Sequence, residues 1–314
     1  MNCGLSALGI WAENGFGLRG LRLNSLHTLG VKLTVFSLLV VALLAGVVAP
    51  VVAKAEGSNL QHYIEENSDR YEAFRAENPE MPFDRVVAYV NAGADKAYYS
   101  DIVVVDRPSD LRVLLSKNFA LPYGYEPPDL VELPGGHLLR KIAASAFEDM
   151  RDAARDEGLN LVIRSSYRSH GSQVASYNLV AENYGVEGAE ISVARPGHSE
   201  HQTGLALDIM HREGTTGPLT VQGFEYSNEY FWLLEHGHEY GFILRYPEGY
   251  TQLQGFVYEP WHWRYVGKKV SMSMFRWKIA TFEEYYGRYL AKPRFQRPPP
   301  QPPAIQGSIR ALPL

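Results

Sequence analysis

Aliphatic side chains alternate with one small and one acidic side chain along a short stretch: Leu205, Ala206, Leu207, Asp208 and Ile209. Successive side chains of a β-strand point to opposite faces of the sheet, so this alternation predicts a strand with one apolar face in the core. Asp208 then lies on the opposite face. Gly204 and the β-branched Thr203, which come just before, disfavour a helix. The pattern therefore predicts a turn over residues 202–204 and a strand from Leu205 onward.

Other apolar residues recur at the spacing of amphipathic helices or form the short runs that are typical of strands. Helical spacing covers residues 58–79, 138–158, 172–184, 227–240 and 281–290. Short apolar runs predict strands at residues 159–164, 242–246 and 257–266, with further runs at 86–90 and 102–105. The stretches that we expect to be loops are residues 185–198 and 211–220. Together these elements predict an α+β fold in which helices flank a small antiparallel sheet.

The N-terminal part of the chain has the pattern of an export sequence. Residues 33–53 are uncharged and apolar, and Ala53 and Ala55 have the small-x-small spacing of a cleavage site. The residues before this run include three basic ones: Arg19, Arg22 and Lys32. Residues 1–55 are therefore a predicted signal peptide or an uncleaved signal anchor, with residues 33–53 as the membrane anchor in the second case. Either alternative places the rest of the chain on the extracytoplasmic side.

The remaining chain divides by composition into three parts. Residues 56–135 hold short apolar runs separated by prolines, and we expect a small, irregular N-terminal subdomain there. Residues 136–291 carry the longer periodic segments and are the predicted catalytic domain. Residues 292–314 are rich in proline and predict a disordered tail, because proline-rich segments form no packed core.

Composition excludes several classes of protein. The 314 residues are 46% hydrophobic, which suffices for one substantial core and a smaller subdomain. The formal net charge of -5 offers no basic surplus for nucleic acid, so we expect no nucleic-acid partner. A single cysteine, Cys3, excludes an intramolecular disulfide. We expect a monomer.

Four residues in two stretches have the chemistry of a hydrolytic metal site. His201 and Asp208 stand in the first stretch, and Glu259 and His262 stand in the second. Two imidazoles and one carboxylate are usual ligands of a catalytic zinc, and they leave a fourth coordination position open. Pro260 favours an extended backbone at Glu259, so this is not a helical ligand pair. Any one of these residues alone would be an ordinary core or surface residue, and the interpretation depends on the whole set.

The combined pattern resembles a known family. Ser199-x-His201-x6-Asp208 followed by Glu259-x-x-His262 is similar to the VanY-type zinc D-alanyl-D-alanine carboxypeptidases of peptidase family M15. The resemblance extends to residues 166–169, to Gln173 and to residues 263–267, and covers about residues 138 to 268. It implies the fold shared by D,D-peptidases and the Hedgehog signalling domain, with zinc on the open face of the sheet.

The resemblance also implies roles for individual residues. The ligands of Zn²⁺ would be His201, Asp208 and His262. Glu259 would be the general base, and Arg168 would bind substrate and stabilise charge on the attacked carbonyl. Further residues that match the family near the substrate, or flank a ligand, are Ser199, Gln173, Tyr167 and Trp261. An alternative for Gln173 and Ser199 is that they orient the loop through hydrogen bonds.

The expected activity is removal of the C-terminal D-alanine from peptidoglycan stem peptides. L,D-carboxypeptidase and D,D-endopeptidase activities use the same centre and stay open as alternatives. A non-catalytic zinc-bearing module that binds the cell wall is a further alternative. The presence of Glu259 argues against this last one, because such a module needs no general base.

Overall fold

The computed structural model of the chain describes residues 60–212 and 219–291. Its helices are α1 (Ser68–Glu77), α2 (Phe83–Asn91), α3 (Lys141–Asp156), α4 (His170–Ser192), α5 (Asn228–His236), α6 (Thr251–Gln254), α7 (Lys268–Trp277) and α8 (Phe282–Tyr289). Its strands are β1 (Val103–Val104), β2 (Phe119–Ala120), β3 (Leu130–Leu133), β4 (His137–Arg140), β5 (Val162–Ser165), β6 (Ala206–Arg212), β7 (Leu219–Thr220), β8 (Phe242–Leu244) and β9 (His262–Tyr265). The predicted anchor and tail lie outside the described residues. Within them, no helix combines the length and the apolar character that crossing a bilayer requires.

The main sheet has five antiparallel strands. Four of them follow the order β5-β6-β9-β8, and β7 pairs with the far end of β6. Helices lie beside this sheet, as predicted, and the α+β fold with a small antiparallel sheet is confirmed. The register of the two central strands pairs Asp208 with His262, so two candidate ligands are direct cross-strand neighbours.

The predicted alternation along β6 is confirmed by burial. Leu205, Leu207 and Ile209 are fully buried and join a core that also includes Phe147 and Met150 of α3. Burying these aliphatic side chains stabilises the fold by about 1.5–3 kcal/mol each. Because that burial determines which face of β6 points into the core, it also places Asp208 on the opposite face of the strand.

The turn before β6 is built around a glycine. A 3₁₀ helix, Glu200–Thr203, ends at Gly204, which has a left-handed backbone with φ of 66°. A Cβ atom at Gly204 would lie 2.8 Å from Leu130 Cδ2. Both the backbone conformation and the close approach therefore require glycine here, and the predicted turn over residues 202–204 is confirmed.

Several predicted boundaries are wrong. Residues 185–192, predicted as part of a loop, continue α4 after a break at Gly185, whose φ is 77°. Residues 138–140 belong to β4, so α3 begins later than predicted. The apolar run at residues 86–90 lies within α2. The predicted strand at 257–266 pairs with its neighbours only over His262–Tyr265.

The N-terminal helices pack against the C-terminal helix. Tyr89 of α2 and Thr281, at the start of α8, share a hydrogen bond of 3.0 Å between their hydroxyl oxygens. The side-chain amide of Asn91 donates to the carbonyl of Gly287 in α8 at 3.2 Å. Of the two smaller sheets, β1–β2 packs beside α8 through Phe119, whereas β3–β4 joins the main core through Leu133 and Leu139. The subdomain boundary at residues 135 and 136 stays a prediction.

Candidate active site

Three of the predicted residues come together at one end of the central strands. His201 Nε2 lies 3.3 Å from Asp208 Oδ1, and His262 Nδ1 lies 3.0 Å from the same oxygen. One ligand atom from each of the three residues lies within 4.8 Å of the other two, and all three side chains are buried. A tetrahedral zinc with metal–ligand distances near 2.0–2.1 Å separates its ligand atoms by about 3.3 Å. The separations from Asp208 are close to that spacing.

The tautomer of His201 follows from its hydrogen bond. Its Nδ1 lies 2.7 Å from the backbone carbonyl of Ser166, and a carbonyl only accepts, so Nδ1 carries the hydrogen. Nε2 is then left with its lone pair, and this buried atom has no hydrogen-bond partner in the described residues. Burial, with Arg168 nearby, lowers the pKa of His201 to about 4. This imidazole is therefore neutral at pH 7, the form that binds a metal.

Two carboxylates lie on opposite sides of the His262 ring. Nδ1 faces Asp208, whereas Nε2 lies 3.6 Å from Glu200 Oε2. Burial alone would lower the pKa of His262, but Asp208 and Glu200 together raise it to about 9. Burial alone would raise the pKa of Asp208, but His201 and His262 hold it well below its usual range. A metal ion held by this side chain would take the place of that proton.

Glu259 lies beside the three candidate ligands without being one of them. Its Oε2 is 3.7 Å from His262 Nδ1. Its backbone amide donates to the carbonyl of Tyr246, and its own carbonyl accepts from the amide of His262, so the chain holds it firmly. Burial raises the pKa of Glu259 to about 7. A carboxyl group with this pKa can take up and give back a proton near neutral pH.

Arg168 brings a positive charge to the same site. Its backbone amide donates to the carbonyl of His201, and its Nη1 donates to the hydroxyl of Ser176 at 3.3 Å. Its Nε is buried without a hydrogen-bond partner in the described residues. Its charge interacts with those of Asp208 and Glu259. The guanidinium therefore keeps unused donor capacity toward the acidic end of the site.

The four remaining predicted residues differ in their surroundings. Gln173 is fully buried, and its amide donates to the carbonyl of Ala194 at 2.8 Å, a contact that orients the loop before the ligands. Ser199 is also buried, two residues before His201. The Tyr167 hydroxyl donates to Glu126 at 3.2 Å. Trp261 packs against the main core, and its carbonyl accepts from the amide of Ile209. Contact of these four with substrate stays a prediction.

Sequence reasoning missed the charged network behind His262. Glu200 is buried, and its Oε1 lies 2.8 Å from Arg245 Nε and 2.9 Å from Arg264 Nη1. Arg245 in turn donates to Glu283 at 2.6 Å. The one available indication was the period of β9, since His262 and Arg264 are two residues apart and share a face. This network fixes the carboxylate that faces His262 Nε2 and so orients the ring.

The donor set fits a zinc ion. Two imidazole nitrogens and one carboxylate oxygen, all buried, leave room for a fourth ligand, and His201 Nε2 is an orphaned lone pair aimed at the site. With a carboxyl base and a partly buried guanidinium beside it, the centre has the parts of a hydrolytic site. The fold and the site together define a metallopeptidase.

Comparison with known proteins agrees with this class. The family model described as VanY, D-alanyl-D-alanine carboxypeptidase, matches residues 136–268. The bifunctional D-Ala-D-Ala dipeptidase and D-Ala-D-Ala carboxypeptidase VanXYC of Enterococcus gallinarum is 34% identical over 183 residues, which are 57% of this chain and 94% of that protein.

Two solved structures are similar in fold and sequence. The L,D-carboxypeptidase LdcB has a TM-score of 0.55 and 36% identity, over 60% of this chain and 91% of that one. VanYB in complex with D-alanine-D-alanine has a TM-score of 0.51 and 30% identity, over 57% and 98% of the two chains. The chain therefore belongs to the VanY family of D-alanyl-D-alanine carboxypeptidases, as the sequence motifs predicted.

Proposed function

We propose that this chain is a zinc-dependent D,D-carboxypeptidase that removes the C-terminal D-alanine from peptidoglycan stem peptides. The observation that carries the proposal is the position of Glu259 beside the three candidate ligands, with burial raising its pKa to about 7. A wall-binding module would need the ligands but not a buried carboxyl group with this pKa.

The proposed mechanism assigns one task to each residue. His201, Asp208 and His262 would hold the zinc ion, which supplies Lewis-acid chemistry by polarising the scissile carbonyl and acidifying a water molecule. Glu259 would take the proton from the attacking water and return it to the amine of the leaving D-alanine. One carboxyl group can both accept and return the proton because its pKa of about 7 lies near neutral pH.

Arg168 would recognise the charged parts of the substrate. A carboxypeptidase must distinguish a free C-terminus from an internal peptide bond, and a partly buried guanidinium whose Nε has no hydrogen-bond partner in the described residues suits a carboxylate. The same charge can stabilise the oxyanion of the tetrahedral intermediate. Ser199, Gln173, Tyr167 and Trp261 would shape the walls of this pocket directly or through the loop.

The test is a substrate panel with the full chain and added zinc. We expect D-alanine release from a pentapeptide that ends in D-alanyl-D-alanine, and loss of that release after chelation. Mass detection of the tetrapeptide product measures the reaction. Metal analysis that finds no zinc, or zinc-loaded chain that leaves the pentapeptide intact, would refute the proposal.

A second activity has its own support. The similarity to LdcB, an L,D-carboxypeptidase, favours cleavage of a D-alanine that follows an L-residue. The same panel separates the two, because a tetrapeptide with one terminal D-alanine after an L-residue is a substrate only for the L,D activity. Release from the tetrapeptide but not from the pentapeptide would assign the L,D specificity instead.

The proposed substrate requires an extracytoplasmic location. We infer that residues 1–55 direct export, from the basic residues that precede the apolar run at residues 33–53. Fusing residues 1–55 to a reporter that is active only after export tests this. A reporter that stays in the cytoplasm would contradict the inference, whatever the outcome of the substrate panel.

A further inference from the structure

Helix α7 has an exposed face on which basic and apolar side chains are mixed. Met272 lies at its centre, because side chains three and four residues apart are neighbours on a helix. Lys268 and Lys269 lie one turn before it, and Phe275 and Arg276 lie one turn after it. Together with the neighbouring Trp277, Lys278 and Tyr289, these residues form what we call the α7 patch.

The apolar members of the patch are large side chains that are exposed to solvent. Fractional exposures are 54% for Phe275, 52% for Trp277, 50% for Tyr289 and 39% for Met272. The rings of Trp277 and Tyr289 are 5.2 Å apart, so they form one continuous aromatic surface. Adjacent exposed apolar side chains of this kind mark an interaction site more often than isolated ones do.

The basic members of the patch have no acidic partners. Over residues 60–212 and 219–291, no carboxylate forms an ion pair with Lys269, Arg276 or Lys278, and Lys268 Nζ lies over the ring of Tyr240 at 5.7 Å. Many arginines elsewhere are paired; Arg140 with Asp129 and Arg195 with Glu190 are examples. In a chain with a net charge of -5, three cations on α7 and a fourth directly after it, all without carboxylate partners among the described residues, are a local concentration of positive charge.

This combination matches the chemistry of a lipid surface. Lysine and arginine are attracted to anionic headgroups, while Trp, Phe and Met gain by entering the boundary of the acyl chains. Trp and Tyr also concentrate at membrane–water interfaces. A soluble polyanion would complement the cations but would leave the aromatic side chains in water. We propose that the α7 patch binds the surface of a bilayer that contains anionic phospholipids.

A fluorescent probe in the full chain tests the contact. Cys3→Ser removes the native thiol, and Met272→Cys then accepts an environment-sensitive fluorophore. Vesicles of phosphatidylcholine with 30% phosphatidylglycerol should shift its emission to the blue, and vesicles of phosphatidylcholine alone should not. Val174→Cys on α4 is the matched control, since Val174 is 38% exposed against 39% for Met272. Equal responses at the two positions, or none at Met272, would overturn the proposal.

A charge variant distinguishes an effect of the cations in the patch from an effect of the net charge of the whole chain. Replacing Lys268, Lys269, Arg276 and Lys278 by Gln should weaken vesicle binding at the probe by at least about 100-fold, because each cation near an anionic surface contributes roughly fivefold. The control replaces four cations outside the patch by Gln and should leave the response intact; three of them, Arg107, Arg112 and Arg155, are exposed and Arg151 is partly buried. D-alanine release by both variants reports that they fold.

A variant that lacks two aromatic side chains distinguishes binding to a bilayer from binding to other polyanions. Phe275→Ser with Trp277→Ser keeps all four charges but removes most of the exposed apolar surface. If the patch binds lipid, this variant should lose most of the blue shift. An unchanged shift, or an equal shift of the parent chain with soluble polyglutamate, would show binding by charge alone and would overturn the bilayer proposal.

Discussion

Two carboxyl groups of the candidate site, those of Asp208 and Glu259, differ in their charged neighbours. Asp208 lies between His201 and His262, which hold its pKa well below the usual range and keep it ionised. For Glu259 the largest effect is the cost of burying a charged carboxylate, and this raises its pKa to about 7. Groups whose environments push their pKa values apart can share a site as ligand and base.

Replacing Glu259 tests that division. Glu259→Gln keeps the shape of the side chain but cannot take a proton, so we expect turnover to fall by about 10² to 10⁴ while zinc content is retained. Peptide turnover and metal analysis of the same preparation measure both. Glu248→Gln, at an exposed position, is the control and should match the parent. Near-parental turnover of Glu259→Gln would show that the base is another group.

Glu200 has a supporting task, because it lies between His262 and two buried arginines. Glu200→Ala would leave Arg264 without its carboxylate partner and Arg245 with Glu283 alone, at a cost of about 3–5 kcal/mol in the free energy of unfolding. Urea unfolding measures this loss. Asp152→Ala, which removes an exposed partner of Arg155 at 3.0 Å, should change the free energy of unfolding by no more than about 1 kcal/mol.

Glu200→Gln gives a readout that stability alone does not. The amide retains an acceptor for His262 but loses the charge that fixes the ring. We expect zinc affinity to fall by about 10- to 100-fold, as for other residues that orient a metal ligand. Competition with a chelator measures it. Parental affinity in a folded Glu200→Gln protein would limit Glu200 to a structural role.

At the scale of elements, predictability followed the strength of the local pattern. The alternation of side chains along β6 predicted which face of the strand is buried, and therefore the face on which Asp208 lies. Helix α7 is an exception, because it was not predicted although its buried residues Val270 and Met274 have the four-residue spacing of an amphipathic helix. The break at Gly185 was interpreted as the end of α4, although the helix resumes after one non-helical residue.

The part of the site that could not be predicted depends on contacts between distant elements. Glu200 is a charged residue that is tolerated in the interior because Arg245 and Arg264 neutralise it. Nothing in the residues next to Glu200 indicates those partners. The ligands and Glu259 were predictable because their motif is local, whereas their supporting network is set by the register of β8 and β9.

Gly204 joins two elements that each supply a ligand. Gly204→Ala would force an alanine into a left-handed backbone and place its Cβ 2.8 Å from Leu130 Cδ2, shifting His201 relative to Asp208. We expect losses of both stability and zinc affinity. Gly158→Ala has the same kind of backbone, with φ of +79° and no atom within 4 Å, so it isolates the backbone cost of about 1–2 kcal/mol. Equal zinc affinity in the two variants would show that the turn does not position the ligands.

At the scale of the whole molecule, helices α2 and α8, which are far apart in the sequence, are packed closely enough to be one structural unit. Helix α2 crosses α8 at Gly287, where an added Cβ would lie only 1.8 Å from the carbonyl oxygen of Ala88. The hydrogen bonds from Tyr89 and Asn91 to α8 depend on this close approach. The N-terminal segment therefore stabilises the C-terminal part of the chain directly.

Gly287→Ala tests that coupling. Since the clash is with backbone, the helices must separate, and we expect a loss of about 3 kcal/mol or more in the free energy of unfolding. Gly171→Ala is the matched control, because Gly171 is also helical but its nearest neighbour is Ser169 Oγ at 4.0 Å. There the better helix propensity of alanine should stabilise the chain by up to about 1 kcal/mol. Urea unfolding followed by tryptophan fluorescence measures both. If Gly287→Ala unfolds like the parent, the two helices adjust freely and the N-terminal segment is not needed to hold α8.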